Sequence, residues 1–158
     1  MMIEKKLKDA WAMFPTGVSV ITSTDNDGNC HGMTANSIMS LSISPPLVLI
    51  SVDVSRDTHS FIVNKKKFGI NILSNDQKEI ADYYAAPSKS KNISNINWSI
   101  NSNSDIYFIS NSLVKMGCKV VNSFEEAGHT LFVGLVLSVE IKNKKPLVWF
   151  NRFYSDLV

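Results

Sequence analysis

Between Leu131 and Ile141 every second residue is aliphatic: Leu131, Val133, Leu135, Leu137, Val139 and Ile141, with Gly134, Ser138 and Glu140 among the residues between them. Side chains alternate faces along an extended chain, so a two-residue period describes a strand with one face buried. Val114, Met116, Cys118 and Val120 repeat the pattern against Lys115, Gly117 and Lys119. The last third of the chain is therefore β, and what precedes it must pair with these strands.

Upstream, Ile3, Leu7, Ala10, Trp11 and Phe14 fall at helical spacing. Residues 3–14 predict a helix with Trp11 and Phe14 facing the core, stopped by Pro15 and Gly17. Gly17 to Thr24 reads as a strand, Asp25-Asn26-Asp27-Gly28 as a turn, and roughly Cys30 to Ser40 as the returning strand of a hairpin. Pro45-Pro46 breaks the chain before LVLISV, a continuous apolar run suited to a strand covered on both faces. Ser55 to Lys66 predicts a short helix capped by Ser55 or Asp57. FGINIL (68–73) is a strand, and Ser74 with Gln77 forms a capping box that opens a helix to about Ala86. Residues 87–112, rich in Ser, Asn and Lys, read as a long excursion or lid. Asn143 to Pro146 turns the chain into a final strand, LVWF. About seven strands with hairpin connections and two or three helices predict a mainly β fold, an antiparallel barrel. No G-x-G-x-x-G and no βαβ alternation occurs, which disfavours a Rossmann fold.

Composition narrows the function classes. The chain has 158 residues, 44% apolar and 19% charged, which suits one domain over 1–158. Sixteen basic against 14 acidic residues give a net charge of +2 and no basic stripe, so nucleic acid is not an expected partner. No apolar run approaches the ~20 residues that span a bilayer, so no membrane is expected. Met1 to Asp9 is charged and has no apolar core of a leader. Cys30 and Cys118 stand in no CxxC pairing and read as reduced thiols in a cytoplasmic protein. No P-loop, G-x-S-x-G or HExxH occurs, and His31, His59 and His129 lack metal-ligand spacing, so no metal is expected.

The order of six blocks is more specific than any one of them. FPTGVSVIT (14–22), HGMTANS (31–37), SISPPLVLIS (42–51), FGINILS (68–74), GHTLFVG (128–134) and PLVWFNRFY (146–154) together resemble the flavin reductase-like family with the FMN-binding split barrel. The resemblance runs from about Trp11 to Tyr154 and is weakest over 87–112. It implies an antiparallel split β-barrel with two or three flanking helices. It also implies an NAD(P)H-dependent flavin oxidoreductase that carries FMN (or FAD) and takes hydride from NADH or NADPH. Such a protein can be the reductase component of a separate flavin-dependent monooxygenase, and a homodimer is the expected assembly. An FMN carrier or redox sensor without turnover is the alternative. A related oxidase of phosphorylated pyridoxal-type substrates ranks below both, because its basic substrate-binding residues have no counterpart here.

The same resemblance implies the site. Met33, Thr34, Ala35, Asn36 and Ser37 would run along the flavin ring, with Ala35 and Ser37 small enough for close backbone approach. Ser51, Val52, Asp53, Ser55, Arg56 and Thr58 would hold the phosphate, a role that suits a helix start and one of only two arginines. A polar turn at 34–37, and an Arg56 simply paired with Asp57, are the structural alternatives. Asn71 is placed near the phosphate side, with a structural hydrogen bond the competing role. Phe150 and Tyr154 belong to the C-terminal block near the flavin, where Phe150 also reads as core or interface. His129 corresponds to the catalytic position beside the nicotinamide. The acid that precedes the family's histidine is absent, since Ala127 and Gly128 stand there.

Overall fold

The computed structural model describes residues 2–86, 96–101 and 105–157. A helix α1 (Met2–Ala12) leads into β1 (Thr16–Gly17), β2 (Ser19–Thr24), β3 (Cys30–Ala35), β4 (Ile38–Ser42) and β5 (Leu47–Asp53). Then come α2 (Asp57–Lys65), β6 (Lys67–Ile72), a 3-10 turn (Asn75–Gln77) and α3 (Lys78–Ala85). A strand pair, β7 (Trp98–Asn101) and β8 (Ile106–Ile109), precedes the long strands β9 (Val114–Glu126) and β10 (His129–Ile141). The short strands β11 (Val148–Phe150) and β12 (Phe153–Ser155) end the described chain.

Seven strands form one antiparallel sheet in the order β3-β2-β6-β9-β10-β5-β4. Its two edge strands, β3 and β4, are consecutive in sequence and separated only by Asn36 and Ser37. The sheet therefore curls until its edges meet at that break, which makes it a split barrel. The single strand expected over 30–40 is thus two strands, because the chain leaves β2 at Asn36 and joins β5 at Ile38. Ile21, Ile50, Val52, Phe68, Ile70 and Phe132, all nearly inaccessible, fill the interior. A second apolar cluster (Val18, Val20, Leu73, Ala81, Tyr84, Ile109, Leu147) packs α3, β8 and the C-terminal strands on the outside of β2.

Local chemistry explains the boundaries. Asp25 accepts N–H bonds from Asp27 (2.9 Å) and Asn29 (2.8 Å), closing the β2–β3 turn. The Ser74–Gln77 capping box is present as expected. Ala127 (φ 48°) and Gly128 (φ 76°) both take positive φ, the two-residue turn that best matches strand twist. Burial pushes both thiols, Cys30 and Cys118, up to about 12.

Three expectations are corrected. The α1 stripe does not face the core: Trp11 is 63% and Phe14 57% exposed, and only Ala12 of the helix is buried. The helix is held from outside by Ala12 O accepting the Asn151 N–H (2.7 Å) and by an Asp9–Arg152 ion pair. The LVLISV strand is fully buried on one face and half-buried on the other, since burial alternates along β5. Neither Ser55 nor Asp57 caps α2; Arg56 stands at the N-cap with no side-chain cap bond. Of the expected excursion at 87–112, residues 87–95 and 102–104 lie outside the described residues, whereas β8 packs against β2 and β6. Among the described residues no helix is long and apolar enough to cross a membrane.

Candidate functional site at the barrel split

The split leaves β3 with β2 on one side and, among the described residues, no sheet partner on the other. Three cavities follow this edge in sequence order. The first, about 350 Å³, lies between β3, α2 and α3 and includes Met33, Arg56 and Thr58. The second, about 200 Å³, is formed by Thr34, Ala35 and Asn36 with Trp149 and Tyr154. The third, about 490 Å³ and largely apolar, has Asn36, Ser37 and Ser51 at its polar rim and Trp11, Phe14 and Leu49 as walls. Asn36 borders the second and the third.

Residues 34–37 and 51–58, expected to act together, are joined directly. Ser37 Oγ donates to Ser51 O (3.0 Å), and the Ser51 N–H donates to Ser37 O (3.0 Å). The exposed Asn36 amide lies 3.4 Å from Thr16 Oγ1. Thr34 is committed elsewhere: its hydroxyl donates to Ala81 O on α3 (2.6 Å). Met33, Ala35 and Val52 turn their side chains into the barrel, so they offer a ligand backbone and shape rather than polar groups.

At the end of β5 the chain folds on itself before α2. Asp53 Oδ1 accepts the Ser55 N–H (2.8 Å), and Asp53 O accepts the Arg56 N–H (3.1 Å). The Ser55 bonds, then the nearby charges of His129 and Arg56, hold the Asp53 carboxyl below its usual value. Asp53 therefore turns its charge into the loop, and among the described residues no side-chain cap bond is made at the α2 N-terminus. The first-turn N–H groups of a helix have no intrahelical acceptor and carry the positive end of its dipole. Arg56 has no ion pair among the described residues, so the pairing with Asp57 is not seen. Thr58, in the same first turn, is buried.

Two expected residues stand outside this row. Asn71 is fully buried: its Nδ2 donates to Val20 O (3.0 Å) and Thr22 Oγ1 (3.3 Å), while its Oδ1 accepts the Ile109 N–H (2.8 Å). It ties β6 to β2 and β8 and has nothing left for a ligand. Phe150 borders none of the three cavities; its neighbour Trp149 does, edge-on to Tyr154 at 5.0 Å. Tyr154 keeps its hydroxyl on Asp82 Oδ1 (2.7 Å). His129 opens β10, exposed, directly opposite Asp53 on β5 and Glu126 on β9. Carboxylates thus stand beside His129 across both strand pairings, although Ala127 and Gly128 occupy the two positions just before it. Trp11, Phe14, Thr16 and Leu49 were not among the expected residues. A helix's apolar stripe and an apolar run carry no signal distinguishing a cavity wall from core.

The fold is a split barrel whose edge carries an apolar slot, a polar rim and, at a helix start, a guanidinium with no ion pair among the described residues, and its solved neighbours of this fold are flavin reductases. Residues 11–157 match the model of the flavin reductase like domain, and the chain belongs to that family. It is an enzyme of the flavin reductase class. It is 29% identical over 153 residues to an NADH-dependent flavin reductase of a Rhodococcus species, covering 96% of this chain and 85% of that one. The solved flavin reductase PheA2 in its native state superposes with a TM-score of 0.89 at 34% identity, covering 98% of each chain. The flavin reductase of the styrene monooxygenase from Pseudomonas putida S12 gives 0.88 at 25% identity, covering 96% of each. These relatives favour the enzyme over the carrier.

Proposed function

We propose that the chain, as one domain, binds FMN along the β3 edge and reduces it with NADH, the nicotinamide named for the Rhodococcus relative. The observation that carries this reading is the continuity of the row: a cation at a helix start with no ion pair among the described residues, then a strand edge with small residues, then a slot with a polar rim. Arg56, the first-turn amides of α2 and Thr58 fit a single phosphate dianion. Asn36, Ser37 and Ser51 fit the oxygen- and nitrogen-rich edge of a planar ring, and Trp11, Phe14 and Leu49 fit its apolar faces. FMN, when bound, supplies the hydride acceptor. What this chain contributes is binding and alignment: the phosphate grip fixes one end, and the slot restricts the ring to one plane. His129, exposed beside Asp53, is proposed to meet the nicotinamide and orient it rather than to transfer a proton.

We further propose a cytoplasmic homodimer that feeds reduced flavin to a separate flavin-dependent monooxygenase. Its likeness to the flavin reductase of a styrene monooxygenase supports such a pairing. Trp11, Phe14 and the exposed Met39 border the slot, and Met39 with the exposed Ile43 and Val139 borders a second apolar cavity beside it. One apolar face of this extent suits a second copy, which would also close the slot. Sedimentation of the wild type and of Val139→Lys tests the dimer; equal monomeric mass for both would remove it. Following NADH absorbance with and without FMN tests the activity. FMN-dependent loss of NADH is expected, and no consumption with either NADH or NADPH would overturn the reading.

A further inference from the structure

His59 is a half-buried histidine that neither the flavin edge nor the nicotinamide position uses. It is the third residue of α2, and its own N–H donates to Arg56 O (2.9 Å), so its backbone is held to the residue proposed to grip the phosphate. Its side chain reaches a different element. Nε2 is hydrogen-bonded to Thr130 Oγ1 on β10 at 2.7 Å, and the ring tilts over that of Phe132 with centroids 5.7 Å apart. Thr130 and Phe132 share the buried face of β10, whereas His129, the next residue, lies on the opposite face and is exposed. The Thr130 hydroxyl, almost inaccessible, cannot exchange this partner for water, so the bond holds both side chains in place. The helix itself lies mainly over β2, β3 and β6. The His59–Thr130 bond extends from that packing and joins the first turn of α2 to the start of β10.

We propose that His59 is a positioning residue that couples the flavin phosphate to the nicotinamide: a phosphate held at the α2 start fixes the first helical turn, and the bond to Thr130 passes that order to the adjoining His129. The inference rests on the placement of the phosphate at Arg56 and of the nicotinamide at His129, and it adds how one is felt by the other. A coupling of this kind is a free energy shared between two sites, so it is read as the flavin phosphate improving the use of NADH.

Riboflavin, which has the same ring and no phosphate, isolates the effect. In the wild type KM for NADH should be lower with FMN as acceptor than with riboflavin, by roughly two- to tenfold, the span that one net hydrogen bond supports. His59→Leu keeps an apolar side chain against Phe132 and removes the bond. It should raise KM with FMN to the riboflavin value, with kcat and FMN affinity within about twofold of wild type. His59→Gln, whose amide can reach the same hydroxyl, should restore the difference. Thr130→Val should reproduce the loss from the other side, and the double variant with His59→Leu should lose no more than either single one. Amide resonances give a readout independent of turnover. The shifts that saturating FMN causes beyond those of riboflavin should include 129–131 together with 56–58 in the wild type, and 56–58 alone in His59→Leu. A side chain that only stabilises the fold would lower kcat and the melting temperature and leave the FMN–riboflavin difference in KM intact. That result, or phosphate-dependent shifts at 129–131 surviving in His59→Leu, would overturn the proposal. Absence of FMN-dependent NADH loss in the wild type would instead sink the flavin reading itself, and the coupling with it.

Discussion

Replacing Arg56 with glutamine removes a positive charge at the N-cap of α2 and leaves the helix intact, because the Arg56 side chain makes no cap bond. A hydrogen bond to a charged group contributes about 1.5–3 kcal/mol. Arg56 is exposed, so water and salt screen it and the lower end applies, about 1.5 kcal/mol or roughly a tenfold loss of FMN affinity. Riboflavin has the same ring and no phosphate, and serves as the internal control. Fluorescence titration of both ligands against both proteins should show FMN weakened about tenfold and riboflavin changed less than about twofold. The advantage of FMN over riboflavin in the wild type should shrink as salt rises to 1 M, where the Debye length falls to about 3 Å. Asp53→Asn should move FMN the other way, since asparagine can still accept the Ser55 N–H while a negative charge near Arg56 disappears. Equal losses for FMN and riboflavin in Arg56→Gln, or no loss for either, would refute the phosphate assignment.

His129→Ala should raise KM for NADH or lower kcat several-fold in steady-state assays, with FMN affinity held; selective loss of FMN binding would count against its place at the nicotinamide. Asn71→Ala strands the buried Ile109 N–H, at about 1–3 kcal/mol, and removes a second, side-chain donor from the Val20 carbonyl. Urea unfolding should therefore show a loss of about 1–3 kcal/mol, and no loss would mean that Asn71 is not the bridge between β2, β6 and β8. Asp25 is held far below its usual value, first by His31 and then by Asn29. A depressed carboxylate stabilises the fold above its unfolded pKa of about 3.9, and that contribution is lost as pH falls through the folded value. Acid unfolding of Asp25→Asn should accordingly be less steep below about pH 4 than that of the wild type, and superimposable curves would contradict the pairing.

Elements bounded by local chemistry were legible in the chain. The Asp25–Gly28 turn and the Ser74–Gln77 box depend on residues a few positions apart, and each formed where its residues stand. β9 and β10 are strands, but the aliphatic face that the two-residue period marks on β10 is exposed at Leu137, Val139 and Ile141 while Thr130 and Phe132 of the other face are buried, because period alone does not say how far along a strand the cover extends. Beyond Val120, β9 runs on to Glu126 with both faces exposed, so no burial pattern marks it. The stripe on α1 shows that the helix has an apolar face but not what lies against it; tertiary placement put Trp11 and Phe14 outside the barrel. LVLISV carries apolar residues on both faces, so its sequence could not reveal that Leu49 and Ser51 open onto a cavity. The family block places Asn71 near the phosphate side with a structural hydrogen bond as the competing role, and only the arrival of β8 shows that its amide serves the fold. The two halves of the site were recognisable as separate blocks. Their contact depends on the turn at Asn36–Ser37, where one edge strand becomes the other, and no spacing rule expresses that closure.

The placement of flavin is tested most directly by titrating FMN into isotopically labelled protein and following the backbone amides. Resonances of 33–37, 51–58 and 149–154 should shift together. Those lining the groove of similar size between Ser23, Lys65 and Tyr107, on another part of the surface, should stay still. Shifts confined to that groove, or scattered with no continuity from Arg56 to Asn36, would mean that the barrel split is not where this protein holds its flavin.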